Sequence, residues 1–174
     1  MNDPRYPIGR YERRDVLTAD ERAAMIEQIA AVPQKMREAV AGLTPQQLET
    51  PYREGGWTLR QVVHHVPDSH MNSYVRFKLA LTEQTPTIRP YDEARWAELA
   101  DSVDTPPATS MALLESLHDR WVRLLRSMSA DDFQRTLNHP ESGLMTLDAM
   151  VALYAWHGRH HVAHITSTRA RNGW

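Results

Sequence analysis

The chain contains no cysteine. Disulfides are therefore excluded, and no protein thiolate can serve as nucleophile or metal ligand. Any thiol chemistry must use a thiol carried in by a substrate. A reducing cytoplasm fits this composition. No apolar run approaches the ~20 residues that span a bilayer. The opening residues Met1-Asn2-Asp3-Pro4-Arg5 lack the apolar stretch of a signal peptide. A cytoplasmic setting with no membrane partner is the expectation. An excess of positive charge is also missing: 20 Lys and Arg stand against 22 Asp and Glu, a net charge of -2. Without a basic footprint, nucleic acid is not an expected partner. Internal repeats and low-complexity tracts are absent, and strand signals are poor.

Helical punctuation is abundant by contrast. The length of 174 residues suits one domain, 1–174, large enough to bury a core, and 41% hydrophobic with 24% charged residues is a globular composition. Residues 1–17 read as an N-terminal arm with Tyr6, Pro7, Ile8 and Tyr11 as packing anchors. Thr18-Ala19-Asp20-Glu21 is a capping box, in which the Thr oxygen takes an orphan N–H and the Glu reaches back. The helix it opens runs to about Gly42, with Pro33 expected to kink or interrupt it. Thr44-Pro45-Gln46-Gln47 opens a short helix. Thr58-Leu59-Arg60-Gln61 opens a long one to about Leu81 or Glu83, with Trp57 and Val62 as a hydrophobic staple.

Residues 84–108 hold four prolines and form a long connection, with room for a helical turn near 94–99. A third long helix covers about 109–128. A turn at Asp131–Phe133 and a loop at His139–Gly143 follow. Thr146 caps the last helix, which ends near Arg171 with basic residues matching the helix dipole. The expected architecture is all-α: a four-helix bundle with one long crossover between helices two and three.

Four of the nine histidines fall between His157 and His164. His157 and His161 are four apart, as are His160 and His164, and residues i and i+4 share a helix face. Two imidazoles so placed can reach one metal ion at roughly 2.0–2.1 Å each. At 100° per residue, the stripe Leu147, Met150, Val151, Tyr154, Ile165 has His161 roughly 30° and His157 roughly 70° from its centre. His164 lies roughly 90° away and His160 roughly 130°. The inward pair is thus His157 and His161, with His160 at the edge or outside. On the second long helix, His70 falls on the apolar stripe while His64 and His65 lie about 130° off it. His65 shares a polar strip with Gln61, Ser69 and Asn72. Spacing alone leaves His70 and His65 equal as the third ligand. The zinc-protease pattern H-E-x-x-H is not met, because Gly158 stands where its Glu would be.

Several blocks together resemble the YfiT-like branch of the DinB superfamily. They are Thr50-Pro51-Tyr52-Arg53, Gly55-Gly56-Trp57-Thr58, Arg60 through His65, Asp68 through Tyr74, Arg89 through Glu93, and Trp156 through Ile165. The resemblance covers nearly the whole chain. It implies a metal-binding four-helix bundle, a homodimer, a cytoplasmic setting and one Zn or Ni ion per chain. It places the metal on His65, His157 and His161, so that His70 becomes a buried neighbour. Members are commonly described as metal-dependent hydrolases. The wider superfamily includes enzymes that use thiols such as bacillithiol and mycothiol.

Three neutral imidazoles leave a coordination position open, as catalytic rather than structural zinc sites do. The expected function is that of a metal-dependent enzyme in which the ion activates a substrate thiol. A bacillithiol-type S-transferase is favoured because no Asp or Glu base accompanies the ligands on the last helix. Hydrolysis by metal-bound water is the alternative, and a non-catalytic metal-binding stress module is a third. Asp68 and His164, each one turn from a ligand, are candidates to accept the outer N–H of a ligating histidine. Arg89–Glu93 is a candidate rim. No catalytic residue beyond these is assigned.

Overall fold

Threonine oxygens start the helices where the sequence places them. The computed structural model describes residues 3–174, so the first two residues of the expected arm lie outside the described part. Helix α1 (Ala19–Val40), α2 (Pro45–Leu48) and α3 (Leu59–Thr82) each open on a Thr capping box. Trp57, just before α3, packs against the cluster that holds Val62. Short helices α4 (Glu93–Trp96) and α5 (Ala100–Val103) break up the crossover to α6 (Pro107–Ser127). Then come α7 (Ala130–Gln134), strands β1 (Thr136–His139) and β2 (Gly143–Thr146), and α8 (Leu147–Asn172). The last helix closes on Gly173 with φ of 70°, a left-handed conformation that glycine adopts without steric penalty.

Helices α1, α3, α6 and α8 form the four-helix bundle, with α8 packed most extensively on α1. Gly158 permits this approach: a Cβ there would sit 2.4 Å from Val32 Cγ2. The structure sharpens two sequence expectations. Of the two outcomes expected at Pro33, the interruption does not occur: α1 continues through it. The expected loop at His139–Gly143 is the turn of an antiparallel hairpin, unannounced by the poor strand signals, that buries Leu137 opposite Met145. Its edge also pins the crossover, with Asn138 bonded to the backbone of Pro86 and Ile88.

The buried apolar side chains fall into two clusters. One gathers Ile29, Phe77, Trp121, Leu125, Met150 and Tyr154. The other gathers Val32, Met36, Leu59, Val62, Leu114 and Ile165. On α3, α6 and α8 the chain passes from one cluster to the other through buried histidines: His70, His118 and His161. The candidate site lies at that polar level.

Candidate metal centre

His65 on α3 and His157 and His161 on α8 bring one ring nitrogen each within 4.8 Å of one another. The Nε2 atoms of His65 and His157 are 3.3 Å apart. Two nitrogens on a tetrahedral ion with bonds of about 2.0–2.1 Å would lie about 3.3 Å apart, so this pair has ligand spacing. The Ser69 hydroxyl is 3.4 Å from His157 Nε2. The donor set is three imidazoles of the kind Zn and Ni accept. His65 and His161 are buried, while His157 is partly open to a pocket.

Burial pushes the His65 imidazole down to about 4 and holds His157 and His161 well below the ordinary histidine range, helped by the neighbouring histidines. All three are neutral near pH 7 and keep the lone pairs that ligation requires.

The pocket in front of them has a volume of about 300 Å³. Trp57, Tyr91 and Trp156 supply aromatic walls, and Ser69, Glu93 and His160 add polar groups. Trp57 leans on the His65 ring at 4.6 Å between centroids. Burial raises the Tyr91 hydroxyl pKa, opposed by the polar Ser69 side chain near it. The crossover is held over α3 by Gln61, whose Nε2 donates to the Ala97 carbonyl at 2.7 Å. Thus Tyr91 and Glu93, from the candidate rim, do reach the pocket.

The histidines outside the trio are placed differently from one another. His70 is fully buried, with Nε2 3.1 Å from His157 Nδ1 and Nδ1 2.8 Å from His118 Nε2. His118 Nδ1 in turn donates to the Ile29 carbonyl at 2.8 Å. His164 Nδ1 lies 3.3 Å from His161 Nδ1, and its Nε2 donates to the Arg5 carbonyl at 3.3 Å. His164 therefore touches a trio member, as its one-turn spacing suggests. Asp68 does not: among the described residues its carboxylate bonds to no histidine. Burial, then Asp101, raises its pKa to about 6.

His160 is a correction, since it is buried rather than outside. The arm covers that face of α8. Tyr6 lies 6.2 Å from the His160 ring, and Trp156, stacked on His160 at 4.2 Å, donates to the Gly9 carbonyl. His64 is also buried off the apolar stripe, between Ser110 and the Thr105 carbonyl. His118 escaped sequence reasoning altogether, as a lone histidine on an otherwise apolar face. The one signal was Pro33, four residues after the carbonyl that His118 uses.

The sequence profile described as DinB superfamily matches residues 28–165. A Bacillus cereus protein, provisionally named a metal-dependent hydrolase, is 56% identical over the full length of both chains. The solved structure of YfiT from Bacillus subtilis, described as a probable metal-dependent hydrolase with an unusual four-helix bundle topology, superposes with a TM-score of 0.96. It shares 50% identity and covers 98% of each chain. The four-helix bundle protein TT2238 superposes at TM-score 0.58 with 17% identity, over 88% of this chain and 99% of its own, a likeness of fold alone.

Proposed function

The chain belongs to the DinB superfamily, and from that premise we propose that it is a metal-dependent enzyme whose His65, His157 and His161 hold one divalent ion, Zn or Ni. The observation that carries this reading is the convergence of three neutral imidazoles on one point at the floor of an open pocket. A bound ion there supplies Lewis acidity, lowering the pKa of a nucleophile in its open position and polarising the bond under attack.

The protein's own groups then divide the work. Trp57, Tyr91 and Trp156 bind the apolar body of a small substrate and exclude water from part of its surface. Ser69 orients a polar substrate atom beside His157. Glu93, on α4, supplies at the pocket the carboxylate base that α8 does not place beside the ligands. This weakens the main reason for preferring a thiol nucleophile, and hydrolysis of a small ester or amide becomes the first reading. Glu93 would take the proton of an attacking water and return it to the alcohol or amine that leaves as the ester or amide bond breaks.

Thiol transfer, with a bacillithiol-type substrate, is the second reading. It is favoured by the exposure of Glu93 at the mouth, where the histidines keep no carboxylate partner among the described residues. A pre-ionised thiolate needs no base. Family resemblance extends the proposal to a homodimer in a reducing cytoplasm.

The test begins with elemental analysis of untagged wild type and of the His65→Ala, His157→Ala, His161→Ala and His70→Ala variants. One metal per chain is expected, lost in the first three and retained at saturating metal in His70→Ala. No metal in wild type refutes the reading. Turnover of an ester and amide panel, with and without a low-molecular-weight thiol, then separates the two chemistries. Glu93→Gln lowers hydrolysis and spares thiol transfer.

A further inference from the structure

Each of the two ligand histidines on α8 ends a chain of hydrogen bonds that starts at a backbone carbonyl. A carbonyl oxygen only accepts, so it dictates which nitrogen of the first imidazole carries hydrogen. The Ile29 carbonyl fixes the proton of His118 on Nδ1. The neutral His118 then offers the Nε2 lone pair, and His70 must donate from Nδ1 across 2.8 Å. His70 Nε2 is left as an acceptor, so His157 donates from Nδ1 across 3.1 Å. His157 Nε2 is therefore a bare lone pair, and it is the atom 3.3 Å from His65 Nε2.

The second chain is shorter and has the same sense. The Arg5 carbonyl takes the His164 Nε2 proton. His164 Nδ1 then accepts from His161 Nδ1, and His161 Nε2 is left free.

We infer that His118, His70 and His164 are positioning residues that hold His157 and His161 as Nδ1–H tautomers, so that both present Nε2 lone pairs to one cation before it arrives. Outer hydrogen bonds of ligating histidines set ring orientation and tautomer in metal sites generally, often through a carboxylate. Here neither chain ends on a carboxylate. Orientation is delivered without negative charge, so the positive charge of a cation held there would not be offset by a carboxylate behind these ligands.

The origin of the longer chain is visible in the sequence. In an unbroken helix the Ile29 carbonyl would accept from the N–H of residue 33. Residue 33 is proline and has none. Pro33 thereby frees, inside an α-helix, the carbonyl that His118 uses. The shorter chain ends instead on the arm, which ties residues before α1 to the site.

The inference rests on the ligand assignment above, but its first readout does not. Nitrogen-15 NMR of the metal-free protein reports which ring nitrogen of each histidine carries hydrogen. His157 and His161 are expected as Nδ1–H. His118→Leu and His164→Leu remove the acceptors, while His118→Gln and His164→Asn keep an oxygen acceptor in their place. Each Leu variant is expected to release the tautomer of its own ligand histidine. Zn affinity, measured against a chromogenic chelator, should fall by about 10–100-fold and recover in the Gln and Asn variants. Nε2–H tautomers in the metal-free wild type, or Leu variants that bind Zn as tightly as wild type, overturn the inference. Wild type that shows the expected tautomers yet binds no Zn refutes the metal reading and leaves the hydrogen-bond chains standing. If a Leu variant fails to fold, the wild-type tautomers and the Gln and Asn variants decide.

Discussion

Acid should destabilise the metal-free protein through His118, and the size of the effect follows from its surroundings. The side chain is 2% exposed, between Trp121 and His70. Burial lowers its pKa from 6.5 to about 4, partly opposed by the bond to the Ile29 carbonyl. The folded pKa is thus below the unfolded one. As pH falls, the unfolded chain takes the proton first, so stability is complete above pH 6.5 and drains away towards pH 4. Below the folded pKa this group causes no further loss. Each pH unit inside the window costs about 1.4 kcal/mol per such histidine, or about 3 kcal/mol across it. Urea unfolding with a chelator present, at steps from pH 7 to about 5.5, measures the upper part before other buried histidines unfold the chain. His118→Gln removes one titrating group, so its stability should fall with acid less steeply than wild type, by about 1.4 kcal/mol per unit. Parallel pH profiles for the two proteins would refute the assignment of a neutral, buried His118.

Gly158→Ala should destabilise by about 1–3 kcal/mol through overpacking on Val32, with partial recovery when Val32→Ala is added. Since alanine is normally the better helix former, a net gain in urea midpoint would refute the close approach of α1 and α8. Asp148→Ala should cost about 3–5 kcal/mol, because the fully buried carboxylate accepts from Leu17 N, both Arg22 donors and Gln134. A loss below about 1 kcal/mol, the ordinary worth of an exposed pair, would show the carboxylate to be dispensable. Trimming residues 3–9 removes the Arg5 carbonyl. Zn affinity should then fall as in His164→Leu while the His157 tautomer stays unchanged, read by chelator competition and nitrogen-15 NMR.

Three of the four long helices were legible because their starts are local chemistry: Thr18, Thr58 and Thr146 each cap within three residues of themselves. The pair His157 and His161 was legible for a similar reason, since four-residue spacing fixes a shared face. The third member was not. The apolar stripe of α3 pointed to His70, yet α3 is also covered on a polar flank by α5 and α8, where His65 sits. Family resemblance, not periodicity, singled out His65. His160 was misplaced because an angular rule assumes one solvent face, whereas the arm buries the outer side of α8. The hairpin offered only Leu137 and Met145 as inward residues, too few for a period of two to register.

The remaining invisibility has a common cause. Burying a histidine level between two apolar clusters is costly unless its nitrogens find partners, since an unpaired polar atom in the interior is unfavourable; His160 Nδ1 is buried without one. Those partners come from five separate stretches: the Arg5 carbonyl on the arm, the Ile29 carbonyl on α1, His70 on α3, His118 on α6 and His164 on α8. No local window contains such a set. What a local window does contain is the device that makes one partner available. Pro33 withholds a backbone donor from α1, which should weaken the helix, yet α1 runs on to Val40 because its inward face is held by both clusters. The orphaned carbonyl is then satisfied from another helix. Pro33 breaks the local rule without breaking the helix and leaves an interior acceptor at Ile29, and the donor that takes it begins the path to His157.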